Sequence, residues 1–201
     1  GEEFDDQPVS LITRSDLEDF FSESEWKPRT RMNYLVTLST LFGFAVDRDY
    51  CPANVAAKIE RPILEENPAG ILKIGEVLAL LKAANEHERT MLPALAIGLF
   101  AGLRRSELCA LDWSEISLPH GTIEVKGAKA KTRQRRIVHI CDSLKKWLAP
   151  YAKKAGLVTV SSRDDVFGEH LRDLVNKAKI ANYPHNGIRH SFGSYHYERH
   201  R

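Results

Sequence analysis

The chain has 201 residues, 43% hydrophobic and 28% charged, long enough for one or two domains with a real core and close enough to the globular average to exclude wholesale disorder or a collagen-like repeat. No apolar run approaches the ~20 residues of a membrane helix, and the acidic first 25 residues hold no apolar signal-peptide core, so a reducing cytoplasm is the expected compartment. The net charge of +2 is segregated, with −8 in residues 1–25 and +10 in the remaining 176.

In chain order, Thr13 and Asp16 have the spacing of a capping box, which predicts a short helix through about Phe21. Pro28 sits at a first helical position, and Met32, Leu35, Val36, Leu38, Leu41, Phe42 and Ala45 recur at helical spacing across Thr30 to Val46. A shorter apolar set follows at Val55, Ala56 and Ile59. Residues 62–70 then bring two prolines, a glycine and two acids, which predicts a linker between a domain at 1–61 and another at 71–201. Ile74, Val77, Leu78, Leu80 and Leu81 predict a helix, Met91 to Phe100 a buried one, and Arg104 to Leu111 a third, short one. The period then changes. Thr122 to Lys126 and Arg136 to Ile140 alternate as strands, with the run KGAKAKTRQRR (126–136) on the hairpin between them. Such a run is either a solvated loop or a phosphate-contacting element. Helices are expected at about 143–153, 164–179 and 186–200, for a mainly α fold with a small antiparallel β-sheet. The three cysteines, Cys51, Cys109 and Cys141, include no CxxC pair, which argues against a disulfide framework or a zinc site.

Ala101-Gly102-Leu103-Arg104-Arg105-Ser106-Glu107-Leu108-Cys109-Ala110-Leu111-Asp112-Trp113-Ser114-Glu115-Ile116 resembles the first signature box of the tyrosine recombinases, the phage-integrase family. Two further segments fall in the expected order. Lys131-Thr132, ahead of the strand end at His139-Ile140, resembles the family's catalytic-lysine hairpin, and Arg189-His190-Ser191-Phe192 after Pro184-His185-Asn186 resembles the second box. The N-terminal part, with Pro28-Arg29-Thr30, Leu41-Phe42 and Arg61-Pro62, is similar to the core-binding domain. The resemblance implies a helical, SAM-like core-binding domain followed by a DNA-breaking-rejoining catalytic core. It also implies duplex DNA as partner, self-association on DNA in the intact protein, and no metal or small-molecule cofactor.

The implied chemistry is phosphoryl transfer through a 3′-phosphotyrosyl intermediate, as in site-specific recombination or integration. Charge collects on non-bridging phosphate oxygens, so positioned guanidiniums carry much of the catalysis. Arg104 and Arg189 are the candidates for that clamp, with Arg105 the register rival of Arg104. Glu107, three residues on and on the same helix face, is expected to orient Arg104. Lys131 is the candidate acid for the departing 5′-oxygen, and Lys126 and Lys129 share its loop. His190 either supports the site or is a satisfied buried histidine. Asn186 stands where the second box usually has histidine, and His185 is one residue early. An asparagine bonds a phosphate oxygen but carries no proton. Expected DNA contacts are Lys27, Arg29, Arg31, Lys129, Arg133 and Arg135, and Arg136 reads as a further phosphate contact or a solvated residue. Tyr195 and Tyr197, on the helix of Arg189, are poorly placed as nucleophiles. The resemblance implies a tyrosine nucleophile downstream and more core-binding helices upstream. The chain is therefore expected to be a DNA-binding fragment inactive in cleavage, the alternative being a non-catalytic remnant or regulator that occupies duplex DNA.

Overall fold

A computed structural model describes residues 7–65, 69–126 and 134–201. The chain divides into two compact units, Gly1–Asn67 and Pro68–Arg201.

In the first unit, α1 (Arg14–Glu23) starts at the capping box: Asp16 N–H donates to Thr13 Oγ1 at 3.3 Å, and Thr13 N–H donates to Asp16 Oδ2 at 2.8 Å. These bonds satisfy two of the groups that a helix start leaves open. The second helix, α2 (Pro28–Asp47), begins at Pro28, whose fixed φ and missing N–H suit a first turn. It buries Leu35, Phe42 and Ala45 against Leu17 and Phe21 of α1 and Ala56 and Ile59 of the chain that follows. Val36 and Leu41, which the periodicity put with the core, stand 54% and 53% exposed. The buried stripe of α2 is therefore narrower than its apolar pattern. Asn54 ties the returning chain to α2 by donating from Nδ2 to the Ser39 carbonyl at 2.8 Å.

The second unit is built around α4 (Leu92–Ala101), which is buried along nearly its whole length. Packed on it are α3 (Ile74–His87), α5 (Arg105–Ala110), α6 (Asp142–Leu148) and α8 (Gly187–Arg199), while α7 (Asp164–Lys177) packs on α3 and α5. An antiparallel sheet of order β1-β2-β3 lies beside the helices: β1 (Ile116–Ser117), β2 (Thr122–Val125) and β3 (Arg136–His139). Its register pairs Ile116 with Ile123 and Val125 with Arg136. The strand pattern predicted two strands; β1 is the third, and at two residues it is too short to show an alternation. Ile123 and Val125 point into the core. No described helix is long and apolar enough to cross a membrane.

Candidate active site

The site is set by how α4 ends. Gly102 adopts a left-handed conformation, φ 65°, the usual glycine stop for a helix. A Cβ at Gly102 would lie 2.1 Å from the Phe192 ring of α8, so only glycine lets the two helices approach. The chain leaves this turn through buried Leu103 and presents Arg104 as the N-cap of α5.

Glu107 closes that helix start and organises the charges around it. Its carboxylate, with side chain fully buried, accepts the Arg104 backbone N–H at 2.8 Å and Arg104 Nη1 at 3.1 Å. It also accepts Arg136 Nη1 and Nη2 at 2.8 and 2.7 Å, a two-pronged pair from β3. Burial pushes the carboxyl upward, but the hydrogen bonds from Arg136 and from the Arg104 backbone and side chain outweigh it and bring the value to about 2. Glu107 is therefore an anion at any physiological pH.

Arg189, in the first turn of α8, donates from Nη1 to the Gly102 carbonyl. Its pKa is lowered, by burial first and by the repulsion of Arg104 and Arg136, with Glu107 opposing. Arg104 and Arg136 thus share one buried carboxylate, Arg189 lies within electrostatic range of all three, and a cleft of about 780 Å³ is lined by Arg104, Arg189, Asn186, His185, His190 and Tyr183. Burial, opposed by the Ile188 backbone and Arg105, pushes the Tyr183 phenol up to about 12, so it stays protonated. Arg105 also borders the cleft but is held by Asp164 at the start of α7, with Nε 2.6 Å from Oδ1 and Nη2 on Oδ2. The two neighbours thus differ in partner: Arg104 shares Glu107 with Arg136, and Arg105 is paired with Asp164.

Asn186 is the N-cap of α8 with φ 52°, a left-handed residue that is not glycine. Its side chain and that of His185 both border the cleft. His190 is half-buried in its wall.

The hairpin is described only in part. Lys129, Lys131 and Arg133 lie outside the described residues. Arg135 donates from Nε to Glu124 Oε1 across the strands at 2.7 Å, and Lys126 pairs with Glu115 at 3.1 Å. In the first unit Lys27 caps α2 and, like Arg29, is exposed, whereas the Arg31 guanidinium lies 5.4 Å from the centre of the Phe21 ring. The Tyr195 hydroxyl donates to the Leu72 carbonyl at 2.8 Å, and Tyr197 is exposed beneath the Arg201 guanidinium.

Arg136, expected from the sequence as a further phosphate contact or a solvated residue, is about one-third exposed and holds Glu107, a pairing the sequence reading did not assign. The signal was the alternation in Arg136-Ile137-Val138-His139. Val138 packs on the core, so Arg136, two residues earlier, must share its face, while Ile137 is the exposed member.

The sequence profile of the phage integrase family matches residues 71–200. The chain belongs to the phage integrase family. Family relatives include a tyrosine recombinase of Thermosipho africanus, 27% identical over 93% of this chain and 71% of its own length. The tyrosine recombinase XerC of Thermodesulfovibrio yellowstonii is 29% identical over 65% of this chain and 46% of its own. Across the curated relatives it matches, this integrase-family chain spans from about a quarter to about seven-tenths of their length. The fold agrees with the crystal structure of a lambda integrase (residues 75–356) dimer bound to a COC′ core site. The TM-score is 0.74 at 17% identity, over 96% of this chain and 73% of that one.

Proposed function

We propose that the chain is the DNA-engaging core of a site-specific tyrosine recombinase, with its phosphate site at the junction of α5 and α8. The observation that carries this reading is that Arg104, which shares buried Glu107 with Arg136, lines one cleft with Arg189, the three guanidiniums being close enough to repel one another. A fold gains nothing from crowding three guanidiniums together, and the mutual repulsion is tolerable where an anion is to be received.

In this reading Arg104 and Arg189 hold the non-bridging oxygens of the scissile phosphate, which gain charge as a tyrosine oxygen attacks phosphorus and the 5′-oxygen departs. Asn186 donates a hydrogen bond to the same group, and His190 supports Arg189 from the cleft wall. Lys131 delivers the proton to the leaving 5′-oxygen. Lys27, Arg29, Arg31, Lys129, Arg133 and Arg135 contact the duplex backbone, with Arg31 and Arg135 drawn there at the expense of the partners they hold. The lambda integrase relative is a dimer on a core site, and self-association on DNA is proposed for the intact protein here. The nucleophile is supplied by a tyrosine outside these 201 residues: the Tyr195 hydroxyl is bound to Leu72, and Tyr197 is stacked against Arg201.

The test is duplex binding by fluorescence anisotropy combined with a search for a covalent adduct on nicked DNA. Arg104→Ala and Arg189→Ala should each weaken binding while circular dichroism stays native. The 201-residue chain should yield no adduct. Native affinity in both variants would remove the site, and an adduct would show a competent tyrosine within the chain.

A further inference from the structure

We propose that Arg136, the first residue of β3, is a positioning residue of the phosphate site: by saturating Glu107 it leaves the Arg104 guanidinium available to the phosphate. The inference rests on the reading that Arg104 and Arg189 receive that phosphate.

Glu107 and a bound phosphate would compete for a single guanidinium. A buried carboxylate must be compensated, and a lone arginine beside it would turn its fork to take both oxygens. Arg104 does not. It reaches Oε1 from Nη1 alone, at 3.1 Å, the longest of the four bonds to this carboxylate. The fork position is held by Arg136, whose two terminal nitrogens take one oxygen each at 2.8 and 2.7 Å. Arg136 is fixed in turn by its strand: it pairs with Val125 and shares the inward face of β3 with Val138. Without it, Glu107 and the phosphate compete for Arg104, and the carboxylate is three residues away on the same helix. Lysine cannot substitute, because one ammonium cannot place two parallel donors on two oxygens.

The role separates from a purely structural one by its readout. The full chain would be titrated with inorganic phosphate, followed by 31P NMR at pH 7, with circular dichroism and thermal unfolding alongside. Arg104→Ala should abolish binding. Arg136→Ala should weaken it roughly tenfold to a hundredfold, the scale of one charged hydrogen bond diverted from the ligand. Arg136→Lys, which keeps the charge and is the milder change if the alanine variant does not fold, should recover less than half of that loss. Native phosphate affinity in a folded Arg136→Ala protein would reduce Arg136 to a structural ion pair. Full recovery in Arg136→Lys would mean that its charge matters and its fork does not. If Arg104→Ala still binds phosphate, the site reading itself fails and takes this inference with it.

Discussion

Glu107 is the residue on which the site's charge balance turns, and its titration gives a measurable consequence. Its folded value of about 2 lies below the ordinary 4.5, so its contribution to stability is fully present above pH 4.5 and is lost as pH falls through 2. Glu107→Gln imitates the protonated state and leaves Arg104 and Arg136 without their carboxylate; with both guanidiniums about one-third exposed, the cost is about 1.5–3 kcal/mol, the scale of a lost charged hydrogen bond. In urea denaturation followed by near-UV circular dichroism, the gap between wild type and Glu107→Gln should be widest near neutral pH. It should shrink as pH drops from 4.5 towards 2. A gap constant with pH would mean that Glu107 is not held as an anion by its neighbours. Asn186 offers a second test at this scale. Its left-handed φ of 52° costs an L-residue about 1–2 kcal/mol that glycine does not incur. Asn186→Gly should therefore hold or raise the melting temperature while weakening phosphate binding. Retained affinity would shift the phosphate contact to its neighbour His185.

Among the elements, α8 carries Arg189 and also secures the start of its own unit. Ser191 and Tyr195, one turn apart, hold both backbone groups of Leu72. The Leu72 N–H donates to Ser191 Oγ at 2.7 Å, and its carbonyl accepts the Tyr195 hydroxyl at 2.8 Å, with the leucine side chain fully buried between. Ser191→Ala would leave the buried Leu72 N–H unpaired, at about 1–3 kcal/mol. The matching sign is faster hydrogen exchange at the Leu72 amide, with Tyr195→Phe producing a smaller effect. An unchanged rate at Leu72 in Ser191→Ala would deny this clasp. Gly102→Ala is the harsher change, since it combines a left-handed φ with a Cβ pressed into the Phe192 ring. It should cost about 2–4 kcal/mol in thermal unfolding, and a loss below 1 kcal/mol would mean that α8 yields easily.

These elements also show what a sequence reading reaches. The unbroken apolar run of α4, the Thr13 capping box and the inward Ile123 and Val125 of β2 are local patterns with a single physical reading, and the structure follows them. Arg104 and Glu107 were legible together because one helical turn joins them. The Arg136 pairing was not read, because it joins positions 29 apart in sequence and is visible only once β3 is laid beside α5. Still larger separations hid the Arg105–Asp164 fork and the Leu72 clasp: side-chain type and local period say which groups need partners, and tertiary contacts decide which partner each one meets.

At the scale of the whole molecule, the segregated charge makes DNA binding a question of counterions. Each phosphate neutralised by a lysine or arginine releases condensed cations, so the slope of log affinity against log salt measures the number of contacts, about 0.9 per phosphate on B-form DNA. A chain using Lys27, Arg29, Arg104 and Arg189 together with part of the hairpin should show a slope of roughly −4 to −6. The slope can also be apportioned among the cations. Lys27 is an exposed cap on α2, so Lys27→Ala should lower the slope by about 1 and weaken all sequences alike. Arg135 is already neutralised by Glu124 at 2.7 Å, and recruiting it to a phosphate exposes a carboxylate to the same duplex. Arg135→Ala should accordingly change the slope by less than Lys27→Ala does. Glu124→Gln, which frees Arg135, should tighten binding at low salt. Equal slopes for the two alanine variants would mean that Arg135 leaves Glu124 on binding, and a slope near zero in the wild type would leave the proposed duplex contacts without support.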